Sequence, residues 1–209
     1  MTTLRVDPGD PDADDVAIAA AALAAGQLVV VPTDSVYGLA ADPAVPAAVA
    51  RLFEAKGRPR SLAIPVLVAS LAHVRRLVEV DERALRAIDR FWPGPLTLVL
   101  RRRTGFAWDL GDAPGTLAVR MPDHPVALAL LTQTGPLAVT SANRSGEPPP
   151  VVVAEIEAVF GDAVSLYLDA GAAPGGTAST VADLTGPEAR ILRPGPVSAA
   201  DLSAVESAR

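Results

Sequence analysis

Two periods run through the hydrophobic and polar positions of the chain. From Asp12, a plausible helix cap, an alanine-rich run extends to Gly26, and QLVVV at 27–31 reads as a buried strand. PTDSVYGLAAD then forms a polar loop over 32–42. A second helix over 46–55 leads into the basic loop KGRPRS, and IPVLVA at 64–69 is the next strand. Helical patterns at 71–78 and 82–91 precede FWPGP, and strands follow at 96–102 and 116–121 across a glycine-rich loop. HPVALALLTQTG gives a helix, PLAVTS a strand, SANRSGEPPP a loop and VAEIEAVFG a helix, with strands at 164–168, 179–184 and 189–192 completing the pattern.

Strands alternating with helices imply an α/β fold, while neighbouring strands joined only by loops require part of the sheet to be antiparallel. The expectation is an open twisted mixed parallel/antiparallel sheet with flanking helices. One domain spans 16–195, between an acidic N-terminal segment (1–15) and a C-terminal tail (196–209). Ligand sites in such sheets are built from loops at strand ends, and the polar loops at 32–42, 56–61, 141–147 and 171–179 qualify.

At 209 residues and 50% hydrophobic content the chain can bury a core, and its 20% charged residues are ordinary for a globular protein. It contains no cysteine, which excludes disulfides, thiolate zinc sites and a cysteine nucleophile. The uncharged stretches 16–33 and 125–143 are broken by Gly, Pro or Gln, so no membrane span is expected. The first residues are acidic where a targeting peptide would be basic, so the expected location is cytoplasmic. The net charge of −6 argues against a broad grip on nucleic acid, yet the first 15 residues alone carry −4. Residues 51–60 hold Arg51, Lys56, Arg58 and Arg60 against Glu54, a local welcome for an anion.

Candidate chemistry narrows by elimination. There is no GxxxxGK[ST] loop, no GxGxxG after a strand and no GxSxG elbow, and with only His73 and His124 a catalytic triad or a histidine metal site lacks material. His124 sits in a Pro-Asp-His-Pro loop, where it either lines a site or is merely structural. What remains is a set of fixed cations, hydroxyls and amides suited to aligning anions. Lys56 and Arg58 flank Gly57, which keeps the backbone low enough for phosphate to approach, although such a loop is also a common solvated helix end. In TSANRSG, Ser141 and Asn143 either meet a ligand or close local turns. Arg120 and Arg193 end strands, each free to hold an anion bidentately or to form a surface ion pair. FWPGPLTL reads as core and turn.

PTDSVYGLAAD, KGRPR, FWPGPLTLVL, TLAVRMPDHP, PLAVTSANRSG, STVADL and ILRPG, in this order over 16–195, resemble the YrdC-like threonylcarbamoyl-AMP synthases. The resemblance implies an enzyme that combines L-threonine, bicarbonate or CO2, and ATP into threonylcarbamoyl-AMP and pyrophosphate. A downstream tRNA threonylcarbamoyl transferase complex consumes the product. It implies ATP contacts at Lys56, Arg58, Leu62, Thr116, Ser141, Asn143 and Arg193, with Lys56 and Arg58 as the catalytic cations. Threonine contacts are implied at Thr33, Arg120, Thr140 and Ser179, with Arg120 opposite the carboxylate. Mg2+ is expected to arrive with the ATP phosphates, and no protein metal site is expected. The resemblance is to the short form, without a C-terminal domain.

The chain departs from the family pattern in having Ser35 for a threonine, and Ser61 and Ala63 where an acidic residue and a proline are usual. Two other readings stand beside the enzyme. One is an RNA-binding or ribosome-assembly factor, with a weak tRNA contact through the basic loops and Arg101 to Arg103. The other is a paralogue with another carbamoyl substrate; the hydrogenase-maturation relatives carry cysteine-rich zinc modules that this sequence lacks. Tyr37 lies near the site without an assigned role, and GAAPGGT at 171–177 has the composition of a mobile lid.

Overall fold

The computed structural model describes residues 1–174 and 177–207. Among these, ten strands form one sheet: β1 (Thr2–Arg5), β2 (Val29–Val31), β3 (Gly38–Ala41), β4 (Val66–Leu67), β5 (Leu96–Arg101), β6 (Thr116–Arg120), β7 (Leu137–Ser141), β8 (Leu166–Asp169), β9 (Thr180–Asp183) and β10 (Arg190–Arg193). Their spatial order is β1-β8-β2-β3-β7-β4-β6-β5-β9-β10. β8 runs parallel to β1 and β2, β4 to β6 and β5 to β9, and the other pairs are antiparallel, so the expected mixed sheet is present.

Alternation along β2 explains how the sheet acquires two cores. Leu28 and Val30 face one layer, which includes residues of α2 (Pro46–Lys56), α3 (Leu71–Leu77), α4 (Glu82–Phe91), α6 (Val153–Phe160) and α7 (Ala199–Ser207). Val29 and Val31 face the other, where Val16, Ala19 and Leu23 of α1 (Ala13–Ala24) meet Val126, Leu130 and Leu131 of α5 (Pro125–Thr134). Asp12 caps α1 as expected, its side chain accepting from the backbone N–H of Asp14 over 2.7 Å.

Three segments differ from expectation in kind, while others shift only at their ends, as where the strand expected over 64–69 narrows to Val66–Leu67. Within the acidic N-terminal segment, Thr2–Arg5 is an edge strand on β8; its side chains are mostly exposed, so backbone pairing forms it without a hydrophobic pattern. Gly38–Ala41, expected as loop, is strand β3, fully buried between β2 and β7. Its glycine and alanines carry little strand propensity, but Leu39 is buried in the core and no side chain fits at Gly38, where a Cβ would lie 2.6 Å from Cγ1 of Val139. The expected tail contains α7, and Val197 and Leu202 join the core.

Candidate active site

Helix α2 ends in a way that separates the two cations of KGR. Gly57 takes the left-handed conformation at φ 58°, and the N–H groups of Gly57 and Arg58 close back on the carbonyls of Glu54 and Phe53. Lys56 therefore remains on the helix, only 2% exposed, while Arg58 departs into the loop. The Lys56 ammonium donates to the backbone carbonyl of Ser141 over 2.6 Å and to that of Asn143. Its own carbonyl accepts from the Ser145 N–H. Burial, and secondarily the Arg58 cation, lower its pKa to about 8.

Arg58 reaches a cleft of about 430 Å³ at the centre of the sheet. Of the residues expected to bind ligand, Thr33, Arg58, Leu62, Thr116, Arg120, Thr140, Ser141, Ser179 and Arg193 line it. Lys56 and Asn143 do not; they are buried behind the β7 loop. The Asn143 amide donates 2.7 Å bonds to the carbonyls of Arg144 and Glu147, and its buried Oδ1 has no partner among the described residues. Thr33 closes a local turn, its hydroxyl donating to the Val36 carbonyl at 2.6 Å, and still lines the cleft.

Three arginines converge here from distant positions. Arg58 spans the carbonyls of Leu62 (2.6 Å) and Ala63 (3.0 Å), fixing the loop in which Ser61 and Ala63 depart from the family pattern. Arg193 donates from Nε and Nη2 to the Ser179 carbonyl and from Nη2 to its hydroxyl. That approach needs the glycine of RPG, because a Cβ on Gly195 would lie 2.4 Å from the Thr180 nitrogen. Arg120, at the end of β6, is held by the Gly94 carbonyl (2.9 Å), the Ser35 hydroxyl (3.0 Å) and the Asp34 carboxylate. The guanidinium pKa values of Arg58 and Arg193 lie below the arginine norm, first through burial and then through the neighbouring cation, Arg193 and Arg120 respectively. A row of partly desolvated like charges is costly unless an anion joins it.

Sequence reasoning missed several contributors. Asp34 bonds a residue 86 positions away, a link with no local signature. Tyr37, placed near the site without a role, ties the cleft to the loop after β8, donating to the Gly171 carbonyl at 2.6 Å and accepting from the Ala170 N–H at 3.0 Å. Thr97 shares a 2.8 Å hydroxyl bond with Ser179, and Asp112 lines the cleft from the glycine-rich loop after β5. A register shift in β10 aims Leu192, 50% exposed, at the cleft mouth, where Leu62 is 49% exposed. Trp92 donates to the Leu96 carbonyl at 2.6 Å and packs on the core, as FWPGP suggested. His124 precedes α5; burial lowers its pKa, while Asp34 and Asp123 oppose that shift. The expected lid at 171–177 includes residues 175 and 176, which lie outside the described residues. No helix among the described residues is long and apolar enough to cross a membrane, and no group of three or more metal-ligating side chains occurs among them.

Residues 21–195 match the family described as telomere recombination and named for Sua5, YciO and YrdC. The chain is 49% identical over 199 residues to a candidate threonylcarbamoyl-AMP synthase of Mycobacterium tuberculosis, spanning 94% of this chain and 92% of that one. It is 40% identical over 182 residues to the threonylcarbamoyl-AMP synthase of Pyrococcus abyssi, spanning 86% of this chain and 54% of the longer relative. The structure of P. abyssi Sua5 complexed with L-threonine superposes with a TM-score of 0.92 at 36% identity, covering 98% of this chain and 61% of that one.

Proposed function

Because the chain belongs to the Sua5, YciO and YrdC family, we propose that it condenses L-threonine, bicarbonate or CO2, and ATP into threonylcarbamoyl-AMP with release of pyrophosphate. The observation that carries this reading is the convergence of Arg58, Arg193 and Arg120 on one hydroxyl-lined cleft. Such a cleft suits two anionic substrates whose own atoms react. Threonine's neutral amine adds to the carbon of CO2 and loses a proton, giving a carbamate. A carbamate oxygen then attacks the α-phosphorus as the bond to the bridging oxygen breaks and pyrophosphate leaves. Positioning and charge stabilisation by fixed cations supply the catalysis.

Arg58 and Arg193 take the triphosphate in this reading, with Leu62 and Leu192 offering apolar surface to the adenine ring and Thr116 beside them. Lys56 acts from behind by holding the Ser141 to Asn143 loop. Arg120, Thr33, Thr140 and Ser179 form the amino-acid end. Mg2+ enters as part of the MgATP substrate, in keeping with a site rich in arginine and poor in carboxylates. The product is an activated carbamoyl donor, consumed by a transferase that modifies adenosine in tRNA. Mass spectrometry of a reaction containing ATP, threonine and bicarbonate tests this: threonylcarbamoyl-AMP is expected, and ATP turnover without a threonine-containing adenylate would overturn it.

One observation favours a weak tRNA contact in addition. Arg103 donates to the Arg75 carbonyl, Glu79 N–H bonds the Arg101 carbonyl, and Val78 bridges Arg102, so Arg75, Arg76, Arg101, Arg102 and Arg103 gather at one edge around Glu79. None of the five pairs with a carboxylate among the described residues. Binding to tRNA that weakens steeply with salt and is lost on replacing Arg102 and Arg103 is expected; no binding at low salt would remove this contact.

A further inference from the structure

The guanidinium of Arg120 carries five N–H groups, and its described bonds use three. Nε is taken by the Gly94 carbonyl, Nη1 by the Ser35 hydroxyl and Nη2 by Asp34 Oδ1. One N–H on each terminal nitrogen remains without a described partner, and Arg120 lines the cleft. Its orientation therefore depends on anchors from two separate segments, the turn after α4 and the loop after β2. Because the guanidinium is planar, three anchors on three different nitrogens fix its plane.

Asp34 is the charged member of that set. Its side chain is 14% exposed and that of Arg120 7%, and Asp34 is the one carboxylate paired with Arg120 among the described residues. It is absent from the described lining of the cleft and contacts Arg120 instead. The same Oδ1 accepts the Asp123 N–H at 3.0 Å, joining the loop after β2 to the loop that follows β6. Arg120 also stands near enough to Arg193 to lower that guanidinium's pKa, after the larger effect of burial. Without Asp34, the buried Arg120 cation would keep only neutral acceptors, with Arg193 nearby, and nothing described would hold Nη2 in place.

We propose that Asp34 is the positioning residue that makes Arg120 selective for the threonine carboxylate. It fixes the two unoccupied N–H groups toward the cleft and makes no contact with substrate itself. This rests on the reading above that Arg120 receives that carboxylate. Geometry rather than charge is the essential contribution, because removing a negative charge alone would strengthen a cationic cleft for anions. The amide oxygen of asparagine can accept from both Nη2 and the Asp123 N–H, whereas alanine leaves both unbound.

The test is steady-state kinetics of adenylate formation for Asp34→Ala, Asp34→Asn and Arg120→Ala, with threonine and threoninamide as alternative substrates and a thermal melt for each variant. Asp34→Ala is expected to raise the threonine KM about tenfold or more, to leave the ATP KM within about twofold, and to erase most of the preference for threonine over threoninamide. Asp34→Asn is expected to restore both parameters to within about threefold of the parent. A merely structural role would lower melting temperature and kcat without separating the two KM values, and that result overturns the proposal. Equal shifts in both KM values, or an Asn variant as impaired as the Ala variant, overturn it as well. An unchanged threonine KM in Arg120→Ala sinks the assignment of Arg120 and the proposal with it. A raised threonine KM in Arg120→Ala with no change in Asp34→Ala sinks the proposal alone.

Discussion

The Lys56 ammonium donates to the Ser141 carbonyl over 2.6 Å, so the last residue of one helix holds the strand end that begins the SAN loop. Ser141 faces the cleft and Lys56 does not. The two motifs, 85 positions apart, act as one clamp.

Titration of this clamp has a definite sign. Burial lowers the Lys56 pKa from 10.5 to about 8, so between those values the unfolded chain binds more protons than the fold. Raising pH through that window should stabilise the protein with respect to Lys56, and the contribution is absent below it. Urea unfolding at about pH 7.5 and about pH 10 should show a larger alkaline gain for the parent than for Lys56→Met. Parallel pH responses would remove the assigned shift.

Arg58 has a separate task, and its chemistry makes lysine a poor replacement. Nε and Nη2 already hold the Leu62 and Ala63 carbonyls, and the same group must face a phosphate. A single ammonium cannot span two carbonyls and an anion. Arg58→Ala should lower kcat/KM for ATP by about ten- to a hundredfold, the scale of one lost charge-assisted contact, and Arg58→Lys should recover little of it. Pyrophosphate release at varied ATP is the measurement; parental activity in Arg58→Lys would show that charge alone suffices.

How much of this could be read from the letters depends on where the information sits. QLVVV, LTLVLR and TLAVR announce strands because burial on one or both faces demands apolar or β-branched residues there. TTLR does not, because an edge strand is made by backbone bonds that any side chain permits. GLAA looks like a loop because its glycine and alanines carry little strand propensity, although Leu39 is buried in the core and at Gly38 the packing leaves no room for a Cβ. The cations and hydroxyls of the cleft were legible because they stand at strand ends in polar loops. Their partners were not. That Lys56 turns away to bind carbonyls follows from the left-handed Gly57, and the Asp34–Arg120 pair joins positions that only the finished sheet brings together.

Leu192 should discriminate between the two substrates. The irregular pairing of β10 leaves it half exposed at the mouth of the cleft near Arg193. Leu192→Ser removes apolar surface worth about 1 kcal/mol against a ring, which predicts a rise of about three- to tenfold in the ATP KM. Threonine KM and urea midpoint should stay near the parent values, since the side chain supports little of the core. An unchanged ATP KM would exclude it from the base-binding surface.

Gly38 offers the sharpest test of packing beneath the site. It sits in β3 opposite Ser141, and an added Cβ would meet Val139 Cγ1 at 2.6 Å, well inside contact distance. Valine is stiff about χ1, and Val139 is itself buried on the β7 strand that lines the cleft, so it cannot swing clear cheaply. Gly38→Ala should therefore cost about 1–3 kcal/mol of stability. Adding Val139→Ala removes the colliding methyl, so the double variant should be more stable than the sum of the two single losses predicts. Urea unfolding of the four proteins in that cycle measures the coupling. Simple additivity would mean that the strand shifts to admit the methyl and that the close approach of β3 to β7 is not fixed by this glycine.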